Sequence, residues 1–151
     1  MLLEKSLIFL NHFCLKVNFL ILISVIIIDQ VTKYLAFLLS LPIKKNFGIA
    51  FGFFPNSLIS GSIFSLLFIG IITLIFIYSI YLSKVKKDLF LTKLSLLLII
   101  SGGISNTFDK YYFGYVRDFI NIKIIPFFNF ADLAISIGLI IYGYQIIKSQ
   151  N

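Results

Sequence analysis

The sequence predicts an all-α integral membrane protein, with four transmembrane helices and a small extracytoplasmic platform between helices 1 and 2. Three observations carry this expectation. Of the 151 residues, 60% are hydrophobic and only 13% charged, with a mean hydropathy of +1.05; a soluble domain of this length carries more charge. The apolar residues form continuous runs rather than alternating with polar ones, which argues against a barrel. Lipid offers an exposed backbone no hydrogen bonds, so each run must be a helix that satisfies its own amides. The chain reads as one membrane-embedded domain over residues 1–151.

A span takes about 20 apolar residues. The first is expected at 17–38, behind Lys5 and Lys16. No small-x-small cleavage site follows it and it runs into the polar stretch "DQVTK", so it is read as retained rather than as a cleaved signal peptide. The segment "NFGIAFGFFP" then supplies the platform. Gly48 and Gly52 permit tight turns there, and Phe47, Phe51, Phe53 and Phe54 suit a lipid interface. The second span is expected at 63–82, the third at 94–108, and the fourth at 130–147, ending before Lys148.

Basic residues set the orientation. The short loop "KVKKDLFLTK" between spans two and three holds Lys84, Lys86, Lys87 and Lys93, and Lys5, Lys16 and Lys148 fall on the same side. Lys33, Lys44, Lys45, Lys110, Arg117 and Lys123 fall on the other. The dense loop places both termini in the cytoplasm. The net charge of +7 therefore meets phospholipid headgroups and gives no reason to expect nucleic acid. Cys14 is the single cysteine, so no internal disulfide forms, and with His12 the single histidine no Cys/His cluster holds zinc.

Against this apolar background the carboxylates stand out. Asp29, Asp109, Asp118 and Asp132 collect at one membrane level, near the outer face, while Glu4 and Asp88 lie elsewhere. A buried carboxylate is costly unless paired, hydrogen-bonded or used. Asp29 and Lys33 stand at i and i+4 and are expected to pair. Asn106 precedes Asp109 by three residues, and Asn129 precedes Asp132 by three, so each amide is expected to hold its carboxylate. Gly102 and Gly103 should let a neighbouring helix approach closely.

No G-x-S-x-G elbow is present, and the histidine lies toward the other side. Two nearby aspartates cannot both ionise comfortably, so one keeps a proton. Such a coupled pair can activate a water as base while protonating a carbonyl as acid. Two other classes compete. A proton- or ion-coupled transporter would spread its carboxylates through the membrane depth, whereas these cluster on one side. A structural membrane subunit with polar glue would make Asp118, outside the spans, dispensable. The G-x-G-D motif of another kind of intramembrane protease is absent.

Five motifs in order resemble lipoprotein signal peptidase, the signal peptidase II family of bacterial inner-membrane aspartyl proteases. "DQVTK" (29–33) resembles its first motif and "NFGIAFG" (46–52) its N-x-G-x-A-F motif. "GGISNTFDK" (102–110) is similar to G-G-x-x-N-x-x-D-R, "GYVRDFI" (114–120) to the V-x-D-F segment, and "FNFAD" (128–132) to F-N-x-A-D. The resemblance implies that Asp118 and Asp132 are the catalytic pair. It implies supporting or substrate-binding roles for Asp29, Lys33, Asn46, Gly48, Asn106, Asp109, Lys110 and Asn129. Lys110 stands where the family usually has arginine, which removes a planar bidentate fork. The stretches 29–46 and 118–132 are shorter than usual.

The resemblance further implies an endopeptidase that cuts prolipoproteins just before a cysteine already carrying diacylglycerol, releasing the signal peptide. It implies a monomer in contact with membrane lipids, with no metal or other cofactor, and with the cyclic lipopeptide globomycin as inhibitor.

Overall fold

The computed structural model describes residues 2–47, 70, 74 and 89–150, with the side chains of 16–47, 70, 74 and 90–148. Among these, three long helices are apolar enough to cross a membrane. Helix α1 is Leu2–Leu38 and holds a candidate span at Lys16–Leu38. Helix α2 is Leu89–Phe113, with a span at Phe90–Phe113, and α3 is Phe130–Gln150, with a span at Phe130–Lys148. The first and last agree with the apolar runs. The helix expected at 94–108 is longer at both ends. Lys93, Asp109 and Lys110 look like boundaries in the sequence, yet Asp109 and Lys110 are buried among partners, so the helix runs on through them. The span expected at 63–82, and the platform residues from Gly48 onward, lie outside the described residues.

Local chemistry sets each helix end. Helix α1 stops in a Schellman turn. The Leu41 N–H donates to the Ala36 carbonyl (3.0 Å) and the Ser40 N–H to Phe37 (3.1 Å), with Ser40 left-handed at φ 53°. Pro42 follows, where a helix cannot continue. Helix α2 ends at Gly114, which takes φ 79° while its N–H donates to the Lys110 carbonyl at 3.0 Å.

Helix α2 lies between the other two. Gly102 of α2 faces Ala131 and Ile135 of α3, and Gly138 of α3 faces Ser95 and Ile99 of α2, so these helices run antiparallel. The fit is backbone against backbone. A Cβ on Gly102 would stand 2.5 Å from the Ala131 carbonyl oxygen, and one on Gly138 would stand 2.5 Å from that of Ser95. Small residues at a helix seam allow such an approach where lipid supplies no hydrophobic drive. Outward, the bundle shows Ile27, Ile28 and Val31 of α1 and Leu139, Ile140 and Ile147 of α3. That arrangement suits lipid and would be a liability in water.

Two short strands add to the helical expectation. Strand β1 (Lys44–Asn46) and strand β2 (Val116–Asp118) pair antiparallel, with Lys44 opposite Asp118, Lys45 opposite Arg117 and Asn46 opposite Val116. Beyond β2 the chain folds back on itself. Ile120 and Phe128 exchange backbone hydrogen bonds of 2.9 and 3.1 Å, which closes the base of the loop and returns the chain to the start of α3.

Candidate active site

The C-terminal ends of α1 and α2, the start of α3 and the β1–β2 pair meet at one end of the bundle. The buried charged residues of the spans gather there with their amide partners in one polar cluster. Its floor is an ion cluster between α1 and α2. Lys33 and Asp29, one helical turn apart, are fully buried and pair at 2.7 Å. The Lys33 ammonium also reaches Asp109 (3.2 Å) and donates to the Asn106 Oδ1 (3.0 Å). Asp29 accepts two further bonds, from the Ser105 hydroxyl (2.6 Å) and from the Ala131 N–H (2.8 Å), an amide in the first turn of α3. Asp29 thus ties all three helices together, and both of its oxygens have a donor. A buried ion cluster is tolerable only when it is satisfied in this way.

Asp109 is the second hub. It accepts from the Arg117 backbone N–H (3.0 Å), from the Arg117 Nε and Nη2 (3.2 and 2.7 Å), and from the Gln30 side chain (3.0 Å). The Arg117 Nη2 also donates to the Gln30 Oε1 at 2.7 Å.

Above this floor lie Asp118 and Asp132. Asp118 is buried at the end of β2 and accepts from the amides of Asn46 (3.0 Å) and Asn129 (2.7 Å). Asp132 is half-buried and accepts from the Asn106 amide at 2.8 Å. Asn129 caps α3. Its Oδ1 accepts the Asp132 N–H (2.9 Å), while Asp132 accepts the Asn129 N–H (3.3 Å), the reciprocal pattern of a capping box. The Asn129 Nδ2 also donates to the Asn106 Oδ1 at 3.1 Å. One residue therefore bonds both carboxylates, its side chain on Asp118 and its backbone on Asp132. Lys110, buried nearby, acts on both through its charge.

Burial pushes the Asp118 carboxyl from its ordinary 3.8 up to about 7. The neighbouring Asp132 adds to the push, while the Asn46 and Asn129 amides and the Lys33 charge hold it back. A carboxyl poised there holds a proton at neutral pH and can give it up. Beside a second carboxylate, that is the equipment for moving protons to and from one water and one carbonyl.

Most of the residues singled out from the sequence converge here: Asp29, Lys33, Asn46, Asn106, Asp109, Lys110, Asp118, Asn129 and Asp132. Gly48 lies outside the described residues. Two expected pairings are corrected. The Asn106 amide N–H serves Asp132 and not Asp109, and the Asn129 amide N–H serves Asp118, the Asp132 carboxylate being reached by the Asn129 backbone N–H alone. Helical spacing shows which residues share a face, but the amides turn outward to carboxylates on other elements. Gln30, Ser105 and Arg117 were not anticipated. A signal existed for the last, since Arg117 is the only arginine among thirteen basic residues.

Among the described residues, no group of three or more His, Cys, Asp or Glu is arranged to hold a metal ion.

A family model described as signal peptidase (SPase) II matches residues 21–148. The lipoprotein signal peptidase of Caldicellulosiruptor bescii is 35% identical, with 87% of this chain and 91% of that protein covered. That of Wigglesworthia glossinidia brevipalpis is also 35% identical, covering 83% and 91%. That of Caldanaerobacter subterraneus subsp. tengcongensis is 37% identical, covering 82% and 90%. A bacterial membrane enzyme solved by the in meso method at 2.3 Å superposes with a TM-score of 0.72 at 24% identity, over 90% of each chain. A second, at 1.9 Å, gives 0.68 at 25% identity, over 88% of this chain and 94% of that one.

Proposed function

Because the chain belongs to the signal peptidase II family, we propose that it removes signal peptides from diacylglyceryl-modified prolipoproteins, with Asp118 and Asp132 as its catalytic dyad. The observation that carries the dyad is the shared scaffold: Asn129 bonds both carboxylates, and Asn106 steadies Asp132. At neutral pH the pair holds one proton, on Asp118, whose carboxyl is pushed up to about 7. In this division Asp132 is assigned the charge, its carboxylate taking the Asn129 N–H at the start of α3, where the helix dipole favours an anion.

The steps follow from that division. Asp132 takes a proton from water as the oxygen attacks the carbonyl just before the lipidated cysteine. Asp118 gives its proton to the carbonyl oxygen, and a gem-diol forms. Collapse returns the diol proton to Asp118, while Asp132 protonates the departing amine. No cofactor takes part.

A span at 63–82 completes the bundle. Contacts between α1 and α2 rise together along both helices, from Asp29 with Ser105 to Lys33 with Asn106 and Asp109, so the two run in the same direction. That direction supports a return crossing between them, for which 63–82 is the apolar run available. The lysine-dense loop at 84–93 puts both termini in the cytoplasm and the dyad near the extracytoplasmic face of the bacterial inner membrane. There a lipid-modified substrate arrives at the depth of its own headgroup, and the protein acts as a monomer. Globomycin inhibits by occupying the space between the two aspartates. A transporter or a structural subunit is less well supported, because the carboxylates lie at one end of the bundle.

The test uses purified protein in lipid or micelles with a diacylglyceryl-modified prolipoprotein and its unmodified form. Only the modified form is cut, and Asp118→Asn and Asp132→Asn each lower the rate by at least about 100-fold while remaining folded. Equal cutting of both forms, or near-normal turnover by either variant, would overturn the assignment.

A further inference from the structure

We infer that Arg117 is a positioning residue that fixes the orientation of Asp118, an inference that rests on the dyad proposed above. Alternation along β2 sends Val116 and Asp118 to one face and Arg117 to the other. Arg117 turns toward the floor of the site and Asp118 toward Asp132. The side chain of Arg117 is gripped on every side. Its Nε and Nη2 form a two-point pair with Asp109, Nη2 also meets the Gln30 Oε1, and the guanidinium lies 4.2 Å from the Phe113 ring centroid. Its own backbone N–H returns to Asp109 at 3.0 Å.

Five contacts thus lock the residue next to Asp118 onto α1 and α2, while the rest of β2 is held by its three-residue pairing with β1, the buried Val116 side chain and the Asn46 and Asn129 bonds to Asp118. Two three-residue strands are marginal alone. The guanidinium fork makes this grip specific, because a lysine presents a point charge without planar two-point geometry. In a chain whose other twelve cations are lysines, the sole arginine stands here. Removing the side chain leaves Asp109 still neutralised by Lys33, bonded to Gln30 and accepting the residue 117 N–H. The floor of the site therefore survives the test.

The experiment follows the Asp118 carboxyl itself, by carboxyl-carbon NMR of aspartate-labelled protein in micelles, with the signal assigned by its loss in Asp118→Asn. The groups facing Asp118 are Asn46 on β1, Asn129 and Asp132 on α3, and the Lys33 and Lys110 charges; none changes in the variants. In Arg117→Gln the strand loosens, water reaches Asp118, and the titration midpoint falls from about 7 by roughly one unit or more toward an ordinary carboxylate. Arg117→Lys falls by less. With lipidated substrate, Arg117→Gln lowers kcat about 10-fold and leaves KM within about twofold.

An unshifted midpoint in Arg117→Gln overturns the inference, as does a wild-type kcat. Gln30→Ala decides by the same titration if Arg117→Gln does not fold: a smaller shift in the same direction supports the inference, and none overturns it. Wild-type protein that cuts no lipidated substrate refutes the proposed function, while the titration still decides the positioning of Asp118.

Discussion

A carboxyl that keeps its proton up to about pH 7 gives cleavage an alkaline limit. The proposed dyad works with one proton, so kcat/KM should fall about tenfold per unit once pH passes 7, where Asp118 ionises. Purified protein assayed from pH 5 to 9 shows this limb, and a flat profile to pH 9 would contradict it. The same residue makes a stability prediction of the opposite kind from most aspartates. Its folded value is raised above the ordinary 3.8, so the native state holds a proton that the unfolded chain releases. Stability is therefore unaffected below about pH 4, declines as pH rises from 4 to 7, and is level above 7. Asp118→Asn, which cannot ionise, lacks that decline. Its midpoint of thermal unfolding should gain on the wild type between pH 4 and 7 and keep the gain above. A constant difference across that window would show that Asp118 is not perturbed.

Helices α2 and α3 depend on two points where backbones touch. At Gly102 an added Cβ meets the Ala131 carbonyl oxygen at 2.5 Å and the Ile135 Cγ1 at 2.8 Å. The carbonyl belongs to the helix backbone and cannot rotate away, so the helices must part. Gly102→Ala should cost about 1–3 kcal/mol. It should also lower cleavage, since the Ala131 amide is held by Asp29 and Asp132 follows it on α3. Gly143 is the control, because among the described residues nothing lies within 4 Å of a Cβ built there. Gly143→Ala should be neutral or stabilise by about 0.5–1 kcal/mol, since alanine loses less backbone freedom in a helix. Thermal unfolding of both variants in the same detergent makes the comparison. Equal effects would mean that the seam does not depend on glycine.

Across the whole molecule, orientation is the property that every reading of the site requires. Under the proposed function a substrate anchored by diacylglycerol arrives from the extracytoplasmic leaflet, so the proposed dyad has to open there. In a Cys14→Ser background, Lys123→Cys, on the exposed loop between β2 and α3, should react with a membrane-impermeant thiol reagent in intact cells. Lys86→Cys, in the lysine-dense loop, should react only after the membrane is opened. Labelling of Lys86→Cys in intact cells would invert the bundle and remove the site from the side where substrate arrives. The expectation rests on the positive-inside rule, whose strength here comes from four lysines within the short segment 84–93.

The sequence by itself determined that the chain is built on long apolar helices, three of which the described residues show. Helix formation in lipid is a local requirement: a long apolar run has no other way to satisfy its amides. It also pointed to the carboxylates and asparagines that the structure brings together, because such residues in an apolar chain are too costly to be incidental, though not to Gln30, Ser105 or Arg117. What it left open was who pairs with whom. The i, i+3 spacing joined Asn106 to Asp109, but helical neighbours share a face rather than a bond, and only the packing of α2 against α3 carries the Asn106 amide to Asp132. Arg117 and Gln30 went unrecognised because their partner lies on α2, 79 positions from Gln30 along the chain. Whether Asp118 ionises was likewise a tertiary matter. Its perturbation comes first from burial and then from Asp132, and neither exists until three helix ends and two short strands close around it.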